Sequence, residues 1–245
     1  MTALEPELLL RAYSVGVFPM ADSRDDRSVY WVEPKRRAIL PLDGFRLSRS
    51  LTKTIKSDRY RVTRDLEFAG VMRGCADRPE TWISHGIEDA YLELHRRGHA
   101  HSVECWDAAG ALVGGLYGVK LGRAFFGESM FSRGRDASKV ALAALVARLR
   151  VGCFSLLDCQ FITPHLASLG AIEVKRDLYV SLLTAAVTPA FGREASPALA
   201  AAPPAFDRLD AMSRETSASS SSSSSAAGSG STPGKLIVQA LGHTS

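Results

Sequence analysis

Two short segments carry side chains that could do chemistry together. In Phe125-Phe126-Gly127-Glu128-Ser129-Met130-Phe131-Ser132-Arg133, a lone carboxylate stands among aromatics, glycine and methionine. Such a carboxylate is costly to bury unless it is paired. It reads either as a rim glutamate held by Arg133 or Arg135, or as an acid in an apolar pocket, placed to hold an amine or a cationic side chain. The second segment is Leu156-Leu157-Asp158-Cys159-Gln160. On a strand, residues two apart share a face, so Asp158 and Gln160 point one way and Cys159 the other. An acid in so apolar a strand is a structural hydrogen-bond acceptor or a catalytic group. The amide beside it favours a polar pocket that can hold an incoming nucleophilic amine.

Other segments bear on binding. Trp82, in the turn Thr81-Trp82-Ile83, reads as packing or as a platform for an aromatic ring such as a nucleobase. Residues 45–64 hold Arg46, Arg49, Lys53, Lys56, Arg59, Arg61 and Arg64 against one acid, Asp58. Arg46, Arg49, Lys53 and Lys56 are spaced to place four cations on one helix face. Charge of one sign without compensating acids points to phosphate contacts. His99 and His101 could share a strand face, but no third ligand stands at suitable spacing, so no metal site is read. Val113-Gly114-Gly115 lacks the lysine of a phosphate loop, and no Gly-x-Ser-x-Gly elbow occurs.

These residues need a folded frame, and the composition supplies one. The chain has 245 residues, 46% of them hydrophobic and 23% charged, which are globular proportions. No apolar run approaches the roughly 18 residues of a membrane-spanning helix. Acids near the N-terminus argue against an export signal, and the four cysteines form no C-x-x-C pair, so reduced cytosolic thiols are expected. The formal charge is +4, and residues 187–245 hold four basic and four acidic residues. The whole excess therefore lies in the front of the chain, which fits a polyanionic partner.

The patterning predicts helices over 7–14, 48–57, 67–75, 87–97, 138–150 and 164–169, with residues 179–186 closing the domain. Residues 102–106, 111–119 and 123–126 predict an antiparallel meander, and 154–160 a strand, giving a mixed α+β layer architecture. Beyond about residue 186 the chain is Ala/Pro-rich and then runs through seven serines, Ser219–Ser225. That composition predicts a disordered tail, with the apolar piece Lys235–Leu241 a terminal remnant rather than a docked strand.

The chain resembles the leucyl/phenylalanyl-tRNA–protein transferases over about residues 8–185. The resemblance is carried by Gly16-Val17-Phe18-Pro19, Tyr60-Arg61-Val62-Thr63, Thr81-Trp82-Ile83, Gly98–Glu104, Val113–Val119, Ala137-Ser138-Lys139 and Ser168–Ala171, and most specifically by Gly127–Arg133 and Asp158-Cys159-Gln160. It implies a cytoplasmic, monomeric enzyme that needs no metal or cofactor and does not act at a membrane. Such enzymes move Leu or Phe, and Met less well, from aminoacyl-tRNA to proteins beginning with Arg or Lys, marking them for N-degron degradation. It implies an α+β chain with a small N-terminal domain (1–34), a GNAT-like, that is acetyltransferase-like, domain (35–188) and a tail (189–245).

Carried over by residue, the resemblance makes Asp158 and Gln160 the pair that orients or deprotonates the acceptor amine, and Glu128 the acid that engages the acceptor N-terminus. It lines the aminoacyl pocket with Leu116, Gly127, Met130, Ser132, Leu142, Leu145, Leu149 and Leu157. Trp82 becomes one of two adenosine-stacking tryptophans, and Arg46, Arg49, Lys53 and Lys56 a tRNA surface. Met20 stands where the second tryptophan is expected, with Tyr30 and Trp31 as nearby substitutes. The rival readings are an acyl-CoA-dependent N-acetyltransferase on the same fold, whose pyrophosphate loop the spacing at 131–137 does not supply, and a non-catalytic RNA-binding module.

Overall fold

The computed structural model describes residues 4–188, 204–221 and 232–242. The chain opens with α1 (Pro6–Ser14), a two-stranded antiparallel ribbon of β1 (Phe18–Met20) and β2 (Tyr30–Val32), and β3 (Arg36–Ile39). Next come α2 (Arg49–Lys56), β4 (Arg61–Arg64), α3 (Phe68–Ala76) and α4 (His85–Arg96). The expected meander follows as β5 (Ala100–Trp106), β6 (Leu112–Leu121) and β7 (Ala124–Ser132), and then α5 (Ala137–Val151) and β8 (Leu156–Gln160). The described chain ends with α6 (Pro164–Ser168), β9 (Ile172–Lys175), α7 (Arg176–Val187), α8 (Arg208–Ser221) and α9 (Pro233–Gly242).

One mixed sheet of seven strands, in the order β4-β5-β6-β7-β8-β3-β9, forms the middle layer. All its neighbours pair antiparallel except β7 and β8, which run parallel. That parallel step is reached by the crossover through α5, the connection a parallel pair requires. Strand alternation sends side chains to two separate cores. Tyr117 and Phe126 pack on one face with α1, α3, α4 and α7. Leu116, Phe125 and Leu157 pack on the other with α2, α5 and α9. Helix α5 is buried nearly all round, because the sheet takes one side of it and the C-terminal helices the other.

Two expectations need correction. The first concerns β7, which was expected to stop at Phe126. It continues to Ser132, so Glu128 lies within a strand, and β6 stays paired with it past a bulge at Tyr117/Gly118. A side chain at Gly118 would strike the Phe126 carbonyl, so the bulge requires glycine there.

The second concerns the tail. Residues 208–221 and 233–242 are helical, and Phe206, Leu209, Ile237 and Leu241 are buried against the body. Asp210 pairs with Arg64 at 2.8 Å and with buried Arg148. The average composition of the segment hid two short apolar stripes, each able to bury a helix face. Residues 189–203 and 222–231 lie outside the described residues. Among the described residues, no helix is long and apolar enough to cross a membrane.

Candidate active site

The site opens where the parallel pair comes apart. β7 and β8 are in register at Ala124/Leu156, Phe125/Leu157 and Phe126/Asp158, and the pairing ends there. Beyond that point β7 runs on while β8 ends at Gln160, whose φ of 60° turns the chain away. A left-handed backbone is uncommon for a residue other than glycine, and here it is held by a 2.8 Å hydrogen bond from the Gln160 N–H to Asp158 Oδ1. The gap between the strands is a cavity of about 240 Å³. That is smaller than the ~300–1,000 Å³ of sites enclosing whole ligands, and suits one side chain.

The cavity has an apolar floor and a polar side. Leu116, Met130, Leu142, Leu145, Leu157 and Leu166 make the apolar part, and Glu128 and Gln160 belong to a polar part that also holds Arg78, Ser129, Thr163 and His165. Glu128 is only 7% exposed. Tyr13 donates to its Oε1 at 2.7 Å, and Tyr91 and the Gln160 Nε2 donate to its Oε2 at 3.2 and 2.8 Å. The two tyrosine hydroxyls also touch each other. Burial, and then the charge of Glu128, push both phenols up, so they remain protonated donors. Burial likewise raises the Glu128 carboxyl to about 7, even though the donors from Tyr13, Gln160 and Tyr91 pull it down. Glu128 therefore exchanges a proton near neutral pH.

Asp158 is different. It is fully buried and does not line the cavity. Its Oδ1 accepts from Arg37 Nε at 2.9 Å as well as from Gln160 N, and its Oδ2 accepts from Arg37 Nη2 at 2.6 Å and Tyr179 OH at 2.7 Å. Arg37, itself 1% exposed, also donates to the Gly16 carbonyl at 3.1 Å and lies over the rings of Phe18 and Tyr179. This paired, hydrogen-bonded ion pair satisfies both charges in a dry setting. It ties α7, β3 and the turn after α1 to the one residue that positions Gln160. Cys159 does line the cavity, but burial and the charge of Asp158 push its thiol up, so it is no thiolate nucleophile.

Most of the residues singled out from sequence converge here. Glu128, Gln160, Leu116, Gly127, Met130, Leu142, Leu145, Leu157 and Trp82 all line the one cavity. Ser132 does not: its hydroxyl donates to the Gly134 carbonyl at 2.8 Å and accepts from Ser138 N at 3.2 Å, which starts α5. Leu149 is buried one turn along α5, outside the cavity. Arg133 pairs with Asp77 at 2.7 Å instead of holding Glu128. Arg49, Lys53 and Lys56 are exposed on α2, whereas Arg46 precedes the helix cap at Ser48 and so is not on the helix. Met20, Tyr30 and Trp31 do not line the cavity.

Sequence reasoning passed over Tyr13, Tyr91, Arg37, Tyr179 and Phe161. An arginine beside the apolar run Ala38–Leu40 was the available signal for Arg37, because a buried cation needs a buried acid. Tyr91 lay on a helix face that read as plain core.

A sequence model of the leucyl/phenylalanyl-tRNA protein transferase family matches residues 39–184, and one for the N-terminal domain of that family matches residues 2–35. A leucyl/phenylalanyl-tRNA–protein transferase of Rhizorhabdus wittichii is 70% identical over 191 residues, covering 76% of this chain and 77% of its own. Another, from Novosphingobium aromaticivorans, is 51% identical over 257 residues, covering 99% of this chain and 97% of its own. Among solved structures, L-PGS from Bacillus licheniformis aligns with 77% of this chain and 72% of its own at 12% identity and a TM-score of 0.38, too loose a superposition to carry an argument.

Proposed function

This chain belongs to the leucyl/phenylalanyl-tRNA–protein transferase family, and we propose that it carries out the family's reaction at the cavity between β7 and β8. It is an aminoacyltransferase that moves leucine or phenylalanine from aminoacyl-tRNA to the N-terminal amine of a protein. We read the acceptors as proteins beginning with Arg or Lys, methionine as a poorer donor, and the outcome as degradation through an N-degron pathway. The apolar floor at Leu142, Leu145 and Leu157 supports the donor range, since a polar side chain buried there would lose its hydrogen bonds.

The ester that joins an amino acid to tRNA is already activated, so the catalyst has three tasks: align the amine, take its proton and steady the tetrahedral intermediate. The amine nitrogen adds to the ester carbonyl carbon, and the carbonyl π pair moves onto oxygen. The amine proton passes to Glu128. When the intermediate collapses, the bond to the ribose oxygen breaks and Glu128 returns the proton to that oxygen, leaving an amide and deacylated tRNA. Gln160 orients the amine and Glu128 together. Asp158, locked by Arg37 and Tyr179, acts through Gln160 as a positioning residue.

The observation that carries this reading is a buried carboxylate, held by Tyr13, Tyr91 and Gln160, at the polar side of an apolar cavity of side-chain size. We take residues 1–34 as the N-terminal domain and 35–188 as a GNAT-like transferase domain, a reading supported by the parallel strand pair that diverges at the site. The exposed Arg49, Lys53 and Lys56 support α2 as a tRNA surface; the use of aminoacyl-tRNA supports a cytoplasmic enzyme, which we read as a monomer. The test is transfer of labelled leucine from leucyl-tRNA to a peptide with N-terminal arginine. Label should appear in the peptide, fail to appear when the leucyl-tRNA is first deacylated at mildly alkaline pH, and be indifferent to coenzyme A. Leucyl-tRNA left unconsumed would overturn the assignment.

A further inference from the structure

A bulge in β7 gathers polar groups on one side of the site. Gly118 pairs with Gly127 and Tyr117 with Ser129, so Glu128 is the extra residue between them. Glu128 and Ser129 therefore do not point to opposite faces, as neighbours in a regular strand do. Tyr91 of α4 holds Glu128. Arg78, two residues past α3, donates from Nη2 to Ser129 Oγ at 3.3 Å and to the Met130 carbonyl. Arg78 is exposed and lines the cavity, so it stands at the mouth, docked on the residue that directly follows the reacting carboxyl. Its charge is unmet. Arg24 pairs with Glu88, Arg73 with Glu67 and Arg133 with Asp77, whereas Arg78 makes no ion pair among the described residues. Its Nε and Nη1 have no acceptor among the described residues either. A guanidinium steadied through one nitrogen keeps its other N–H donors for an anion.

The donor supplies one. With the aminoacyl side chain on the apolar floor and the ester carbonyl at Glu128 and Gln160, the ribose sits at the mouth. The nearest anion is then the phosphodiester on the 5′ oxygen of that ribose. We propose that Arg78 binds this last phosphodiester of aminoacyl-tRNA. This rests on the transferase reading above and deepens it with a contact that locates the donor by charge. The rival anion is the oxyanion of the tetrahedral intermediate. Exposure favours the phosphate: the oxyanion forms beside buried Glu128 and Gln160, whereas Arg78 reaches solvent at the rim.

The test places one neutral linkage in the donor. Leucyl-tRNA carries its natural last phosphodiester, a methylphosphonate at that linkage, or a methylphosphonate one linkage further in. Acceptor peptide with N-terminal arginine is held saturating, and the enzyme is wild type, Arg78→Lys or Arg78→Gln. A charge contact at an exposed rim is worth about 5-fold in affinity, or ~1 kcal/mol. Wild type should show a KM higher by that factor on the donor neutral at its last linkage. Arg78→Gln should raise KM by the same factor on the natural donor and on the donor neutral further in. It should leave KM unchanged on the donor neutral at its last linkage, and kcat unchanged throughout. Arg78→Lys should keep part of the contact. Equal wild-type KM on the natural donor and the donor neutral at its last linkage would overturn the proposal. So would equal losses by Arg78→Gln on all three donors, which would make Arg78 only a prop for Met130. A fall in kcat common to all three would assign the arginine to the oxyanion and overturn it equally. Wild type that leaves natural leucyl-tRNA unconsumed would instead defeat the transferase reading itself.

Discussion

At the scale of single residues, the account turns on the proton of Glu128. The folded chain keeps that proton up to about pH 7, whereas an ordinary glutamate releases it at 4.5. Between those values the folded state binds more protons than the unfolded one, so stability falls as pH rises through the window. Glu128→Gln should flatten that part of a stability-versus-pH curve from chemical denaturation; an unchanged slope would remove the burial argument. Tyr13→Phe takes away a donor that lowers the Glu128 carboxyl. The pH–rate inflection should therefore move to higher pH, and a shift downward would contradict the assigned network. The sequence made Glu128 conspicuous because an acid among Phe and Met has no ordinary reason to be there. It concealed Tyr13 and Tyr91, whose phenols look like core until the fold aims both hydroxyls at one carboxylate.

At the scale of elements, the cavity exists because two parallel strands part company, and α5 carries part of its floor. Leu142 and Leu145 face the cavity, while α8 and α9 hold the far side of that helix. Phe206, just ahead of α8, is 3% exposed and stacks on Phe125 at 5.4 Å and on His101 at 4.5 Å. Truncating such a ring costs about 3–5 kcal/mol. Phe206→Ala should lower the melting temperature by on the order of 10 °C and raise KM for leucyl-tRNA, as differential scanning calorimetry and kinetics would read. A melting point within a degree of wild type would mean the tail is not a brace. Helix and strand periods revealed the meander and α5 readily. They missed the docked tail because the buried Phe206, Leu209, Leu236, Ile237 and Leu241 are diluted by serine and alanine, and they shortened β7 because Gly127 and Glu128 interrupt the apolar run that its β6 partner nonetheless continues.

At the scale of the whole molecule, the proposed function has the basic surface and the site serve one long polyanion. Arg49 and Lys53 are exposed on α2, with α9 packed on the helix beside its buried Leu51 and Ile55. Reversing both charges should weaken tRNA binding and flatten the plot of log affinity against log salt by about 1.5–2, near one unit per lost phosphate contact. An unaltered slope would move the footprint off α2. The excess of positive charge in the front of the chain was readable in the sequence, but which cations share a face was not. Arg46 falls outside the helix because Ser48 caps it, accepting a 3.2 Å hydrogen bond from Leu51 N. The most direct test of the account is the rate of leucine transfer from leucyl-tRNA to an arginine-peptide between pH 5.5 and 8.5, for wild type and Glu128→Gln. The wild type should rise through an inflection near 7. The variant should be slower by about 10²–10⁴-fold and lack that inflection. A Glu128→Gln enzyme that kept both the rate and the inflection would show that some other group takes the amine's proton.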